Sequence, residues 1–124
     1  MEITQRGLGG VIILDLAGRL ILGDGEHLFR DKVYELMKRG YLQVLVNLSR
    51  VTYIDSAGVG ALVWKYITLV RQGGSLKLLN PMPRTHAVLS VTRLLSVFEA
   101  FDNELDAVLS FSKPPAPSGP PSAA

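Results

Sequence analysis

Asp55-Ser56-Ala57-Gly58-Val59-Gly60 is the stretch on which the reading of this chain turns. It follows the apolar Tyr53-Ile54 and opens a periodic segment in which Val59, Leu62, Val63, Tyr66, Ile67 and Val70 stand at offsets 0, 3, 4, 7, 8 and 11. That spacing predicts an amphipathic helix, ending at Gln72-Gly73-Gly74. Ser56 then falls at the helix N-terminus, where free backbone N–H groups and the dipole favour an anion. A phosphate there would gain ~0.3–1 kcal/mol from the dipole. Asp55 reads either as an N-cap or turn carboxylate, or as an acceptor that positions the Ser56 hydroxyl or meets a partner. Gly58 and Gly60 each cost up to ~1 kcal/mol relative to alanine inside a helix. Either the helix packs tightly on a neighbouring element or a protein partner approaches this backbone.

Around this segment the chain alternates. Ile3-Thr4-Gln5 begins a short edge strand closed by Gly7, Gly9 and Gly10, and Val11-Ile12-Ile13-Leu14-Asp15-Leu16 is a β-branched run that stops at Gly18. Asp24 is placed to cap a first helix carrying Phe29, Val33, Leu36 and Met37, with Lys38-Arg39 in its last turn and Gly40 after it. Gln43 to Leu48 is the next strand, and a short turn separates it from Tyr53. Leu76-Lys77-Leu78-Leu79 is a further strand. A third helix after Pro83 offers Val88, Val91, Leu94 and Leu95 to a core. Val97 to Phe101 gives a last short strand, and Asp102 or Asn103 caps a final helix through Leu105, Val108 and Leu109. Strands joined through helices run parallel with right-handed crossovers, whereas the opening hairpin is antiparallel. The expectation is an α/β domain with a mixed sheet of four or five strands and helices packed largely on one face.

Composition narrows the function classes. The 124 residues suit one domain, with residues 1–112 forming it and 113–124, rich in Pro, Ser and Ala, read as a disordered tail. There is no cysteine, which removes thiol chemistry and Cys-based zinc sites. His27 and His86 stand alone, so neither is expected to ligate a metal. The net charge of +2 is scattered rather than gathered into a basic stripe, which argues against direct nucleic-acid binding. No signal peptide or long apolar segment is apparent, and the chain reads as soluble and cytoplasmic, without membrane insertion. Trp64 lies about 130° from the middle of its helix's apolar stripe, at ~100° per residue. Near Ala57, Ala61 and Thr68 it reads as an interaction surface or as a residue covered by a neighbouring loop or helix.

Asp55-Ser56-Ala57-Gly58-Val59 resembles the phosphorylation loop of STAS domains, specifically that of bacterial anti-sigma factor antagonists (anti-anti-sigma factors). The resemblance spans about residues 3–110. Leu16-Ala17-Gly18-Arg19-Leu20, Val46-Asn47-Leu48-Ser49, Gly73-Gly74-Ser75-Leu76-Lys77-Leu78 and Phe98-Glu99-Ala100-Phe101 occupy matching places. It implies a STAS-type fold and a non-enzymatic switch with no cofactor. The unphosphorylated form would bind an anti-sigma factor serine kinase, phosphorylation of Ser56 would break the complex, and a serine phosphatase would reset it. The implied partner surface comprises Asp55, Ser56, Ala57, Gly58, Gly60, Asp24 and Trp64, on a monomer or weak dimer. The stretch Ile21-Leu22-Gly23-Asp24-Gly25-Glu26 is more glycine-rich than the common family pattern.

Within STAS-like proteins two alternatives stand beside this one: a subunit of a signalling scaffold, and a subunit of a lipid-transport ATPase. A receiver-type domain using Asp55 as phosphoacceptor fits less well, because Gly7-Leu8-Gly9-Gly10 stands where such domains carry an acidic pair. A serine-hydrolase elbow fails because Ile54 occupies the first glycine position of Gly-x-Ser-x-Gly. No glycine-rich phosphate loop with its lysine is present.

Overall fold

Gly9 and Gly10 both adopt positive φ, 60° and 80°, a two-residue turn that matches the natural twist of paired strands. This turn folds strand β1 (Glu2–Leu8) antiparallel onto β2 (Val11–Leu20), pairing Leu8 with Val11 and Glu2 with Ala17. The structure, a computed structural model, describes residues 1–112; the proline-rich segment 113–124 and the side chain of Leu95 lie outside the description. The remaining elements are α1 (Gly25–Lys38), β3 (Gln43–Ile54), α2 (Ser56–Arg71), β4 (Ser75–Leu79), α3 (Pro83–Val91), a 3-10 turn over Leu94–Ser96, β5 (Ala100–Phe101) and α4 (Glu104–Ser110). The sheet runs β1-β2-β3-β4-β5, with β2 to β5 mutually parallel. The expected mixed α/β architecture is therefore present, with five strands.

Strand alternation divides the sheet between two cores. Ile12, Leu14 and Leu16 of β2, Val44, Val46 and Leu48 of β3, and Leu76 and Leu78 of β4 face α1, α2 and α3. Phe29, Val33 and Leu36 of α1 and Leu62 and Leu69 of α2 close that layer. Val11, Ile13, Leu45 and Leu79 point the other way, onto Ala107 and Val108 of α4. A clamp holds α4 there. Arg6 donates to both carboxylate oxygens of Asp15 (2.6 and 3.0 Å) and of Glu104 (2.6 and 3.1 Å), and Asn47 donates to Asp15 at 2.8 Å.

Both long helices end in the same hydrogen-bonded glycine motif. In α1, Gly40 N–H donates to Met37 and Tyr41 N–H to Leu36. In α2, Gly73 N–H donates to Val70 and Gly74 N–H to Leu69. Gly40 and Gly73 hold the left-handed φ this stop requires.

Several boundaries differ from the sequence expectation. Gly18 does not end β2: it takes a φ of 120° at an irregularity in the β2–β3 register, and pairing continues to Leu20 opposite Ile54. For the same reason no turn follows Leu48, and β3 runs unbroken for 12 residues to the motif. On α2 the buried line passes through Leu62 and Leu69 with Val59, Ala61 and Lys65, leaving Val70 46% exposed. Val91 is on the outer side of α3, where Thr85 and Leu89 are the buried residues. Asn103, not Asp102, caps α4, accepting from Asp106 N–H at 2.9 Å.

Candidate functional site

The long β3 delivers Asp55 to the end of the sheet, and α2 begins at the next residue. Asp55 is extended (φ −111°, ψ −175°), the backbone an N-cap requires. One carboxylate oxygen accepts from Gly58 N–H at 2.9 Å, and the other from Leu22 N–H at 3.0 Å. Its backbone N–H points to the Leu20 carbonyl, and its own carbonyl accepts from Val59. The structure thus favours the capping reading: Asp55 ties the loop after β2 to the first turn of α2. The N–H groups of Gly58, then Leu22, hold its carboxyl below the usual carboxylate range.

Gly58 is buried, and the reason for glycine there is internal. A Cβ would overlap the Leu20 carbonyl oxygen and press on Ile54. Gly60 differs. It is exposed, and a Cβ would meet nothing within 4 Å, so the fold itself does not require glycine at that position. Ser56 is exposed at the first position of the helix, and Ala57 is half-buried beside it. Trp64 is 60% exposed, which excludes the covered reading. Ser56, Gly60 and Trp64 follow one another at i, i+4 and i+8, a single ridge along the outside of α2. At 1.5 Å per residue the ridge is about 12 Å long. Ala61, expected beside Trp64 at the surface, is in the core.

Asp24 stands at the N-cap position of α1 but makes no capping hydrogen bond. Its carboxylate instead receives the Met1 ammonium at 2.8 Å and Arg19 Nε at 3.2 Å, and these cations, the Met1 ammonium first, lower its pKa. The backbone explains the change: at φ −131° and ψ −101° Asp24 is outside the extended region that aims a side chain at the helix N–H groups.

Three contributors to this region escaped the sequence reading. Leu20 and Leu22 act through backbone atoms, which no side-chain pattern reports. Leu22 also presents a side chain 72% exposed. Tyr53, 48% exposed, carries the Arg84 guanidinium over its ring at 5.9 Å. An exposed aromatic two residues before the motif was the available signal. Among the described residues, no group of three His, Cys, Asp or Glu side chains could hold a metal ion, and no helix is long and apolar enough to cross a membrane.

Residues 2–107 match the family model of the STAS domain. The chain belongs to the STAS family. Among curated relatives, the anti-sigma F factor antagonist of Paenibacillus polymyxa is 23% identical over 108 residues, covering 87% of this chain and 92% of that protein. The crystal structure of a Thermotoga maritima protein, provisionally assigned as an anti-sigma factor antagonist, superposes with a TM-score of 0.83 at 26% identity, over 90% of this chain and 95% of that one. The Bacillus cell-fate determinant SpoIIAA, solved in its phosphorylated form, shares the fold with a TM-score of 0.70 at 22% identity, over 88% of this chain and 98% of that one. This STAS chain therefore resembles these three proteins along nearly their whole lengths, and its motif helix has an exposed serine at its first position.

Proposed function

We propose that this STAS protein is a cytoplasmic anti-sigma factor antagonist whose partner affinity is set by phosphorylation of Ser56. Unmodified, it binds an anti-sigma factor that is a serine kinase. Phosphorylated on Ser56, it lets go, and a serine phosphatase restores it. It acts as a regulator rather than a catalyst.

The observation that carries the reading is the state of the two neighbours at the start of α2. Ser56 is exposed, and Asp55 is an ionised carboxylate already engaged by Gly58 and Leu22. A phosphate at Ser56 adds about −1.5 to −2 charges next to that carboxylate. The helix end would then hold two anions, and any acidic group on the docked partner would face both. At an effective dielectric of ~20 and a few ångströms, repulsion from one partner carboxylate reaches a few kcal/mol, roughly a hundredfold in affinity. The surface that docks runs along Ser56, Gly60 and Trp64, and takes in Ala57. Asp55 and Gly58 shape this surface from beneath, and Asp24 braces the adjoining loop through Met1 and Arg19.

The names of the curated relatives support the antagonist role, and SpoIIAA supplies a phosphorylated protein of the same fold. The test begins with affinity capture from the native cell using wild type and Ser56→Asp as baits, with captured proteins identified by mass spectrometry. The reading requires an ATP-binding serine kinase that wild type retains and Ser56→Asp loses. Capture of a membrane transporter equally by both baits would reject it in favour of a transporter subunit.

A further inference from the structure

The sheet has an open stretch at the start of β4. Ser75 N–H donates to the Leu42 carbonyl at 2.9 Å. Ser75, Lys77 and Leu79 therefore direct their backbone groups toward β3, and Leu76 and Leu78 direct theirs to the opposite side. On that side Leu78 N–H donates to Glu99 and Asn80 N–H to Phe101. The ladder goes no further down, because β5 is two residues long and pairs only with Leu78 and Leu79. The N–H and carbonyl of Leu76 have no hydrogen-bond partner among the described residues, although Leu76 is 1% exposed. Buried backbone groups are rarely left in that condition.

Leu76 borders a pocket of about 340 Å³. Tyr66 and Val70 of α2 line it from one face of the sheet, Lys77 and Phe111 from the other, and Glu99 stands where β5 approaches. Lys77 is already engaged: Nζ donates to Ser110 Oγ at 2.8 Å and lies 3.6 Å from the Glu99 carboxylate and 4.7 Å from the Phe111 ring centroid. The space is thus a slot at the edge of the sheet, with the backbone of β4 as one wall, where β5 would run if it were longer. It suits a short piece of extended chain. Ser56 follows the end of β3, whereas the slot is at the start of β4, which runs parallel to β3. The slot and the proposed docking ridge are therefore separate.

We infer that the slot is the seat of the chain's own C-terminal segment, residues 113–124, which pairs with the open edge of β4 through Ala116. Phe111 is in the slot wall, so the segment leaves from its rim. Ala116 is five residues beyond Phe111, about 16 Å of polyproline-type chain, enough to turn back along β4. The segment Lys113-Pro114-Pro115-Ala116-Pro117 has no large apolar side chain, so main-chain hydrogen bonds and proline rings are what it brings. In an antiparallel pairing Ala116 gives its N–H to the Leu76 carbonyl and accepts the Leu76 N–H. Pro115 and Pro117 then turn outward, at the positions where a strand residue's N–H would face solvent and a missing one is harmless. The prolines also close the new edge against further pairing. Lys113 enters past the Glu99 carboxylate, whose side chain is 55% exposed. The inference does not depend on the antagonist reading.

The test is paramagnetic broadening in the NMR spectrum of the full chain. The sequence has no cysteine, so Ser118→Cys gives a single attachment point for a spin label. The isotope-labelled, spin-labelled chain is diluted with unlabelled chain, so that only its own segment reports. The expected result is strong broadening of the Gly74, Ser75, Leu76 and Lys77 amides, with Leu22 and Ser56 at the other end of the sheet unaffected. Ala116→Pro, which removes the one N–H the pairing uses and leaves residues 1–112 untouched, should reduce that broadening several-fold. It should also speed hydrogen exchange of the Leu76 amide about tenfold. Glu99→Lys, which repels Lys113, should change both in the same direction. No selective broadening at Gly74 to Lys77 would overturn the inference, leaving water to serve Leu76. Broadening that disappears on dilution would overturn it in favour of a second copy's segment, and broadening unchanged in both variants would overturn the pairing through Ala116.

Discussion

The carbonyl oxygen of Leu20 lies directly against the Cα of Gly58, so that no side chain can be built on Gly58 without displacing the end of β2. The contact fixes where α2 starts relative to the sheet, and with it the placement of Ser56. Two residues further on, Gly60 has open space around it. The two glycines of the motif thus differ in kind.

This difference is directly measurable in urea unfolding. Gly58→Ala should lose about 2–4 kcal/mol, the scale of a forced backbone overlap. Gly60→Ala should gain up to ~1 kcal/mol, because alanine is the better helix former and nothing obstructs it. If Gly60→Ala is stabilised yet binds the captured kinase less well, the bare backbone at Gly60 belongs to the docking surface.

Asp55 carries a pH signature. Its folded pKa is depressed, so its contribution is present above the unfolded value of ~3.9 and disappears as pH falls through the lower folded value. At neutral pH Asp55→Ala should cost about 1–2 kcal/mol, the range for a lost cap. The gap between wild type and variant should narrow on acidification below pH 4. A gap that stayed constant to pH 2 would mean that the carboxylate is not what Gly58 and Leu22 recognise.

The Arg6 clamp is exposed enough that its energy is small. The Arg6 side chain is 45% exposed and that of Glu104 is 36% exposed, and such pairs contribute ~0–1 kcal/mol. Arg6→Ala should therefore leave global stability within about 1 kcal/mol while speeding amide hydrogen exchange in α4, with the wild-type difference shrinking in high salt.

Trp64 is the single tryptophan and lies on the proposed ridge, so its emission reports the surface without labelling. Partner addition should shift the emission to shorter wavelength as the indole leaves water. Trp64→Ala should unfold within about 0.5 kcal/mol of wild type, as exposed substitutions do, and bind the partner at least tenfold more weakly.

The central features of the site were legible because local chemistry fixes them. Asp-Ser before a 3.6-residue apolar period places the serine at a helix start, and glycines after Arg39 and Gln72 stop the helices. What was not legible depends on contacts between distant segments. Gly18 looked like a strand end, and only the register of β2 on β3 turns it into an irregularity within a longer strand. The face chosen by α4 follows from Val11, Ile13, Leu45 and Leu79 being left uncovered by the other helices. Asp24 was read as a cap from its place before α1, but its carboxylate is drawn away to Met1 and Arg19. Lys65 was invisible as a buried residue, since a lysine between Trp64 and Tyr66 looks like ordinary surface.

The most direct test of the account is calorimetric affinity for the captured anti-sigma factor kinase, measured with wild type before and after incubation with ATP and that kinase. Ser56→Ala is treated in parallel, and intact mass is read on every sample. The account predicts one added phosphate on wild type, none on Ser56→Ala, and roughly a hundredfold loss of affinity in the phosphorylated sample alone. Equal labelling of both proteins, or a phosphorylated protein that binds as tightly as the unmodified one, would contradict it.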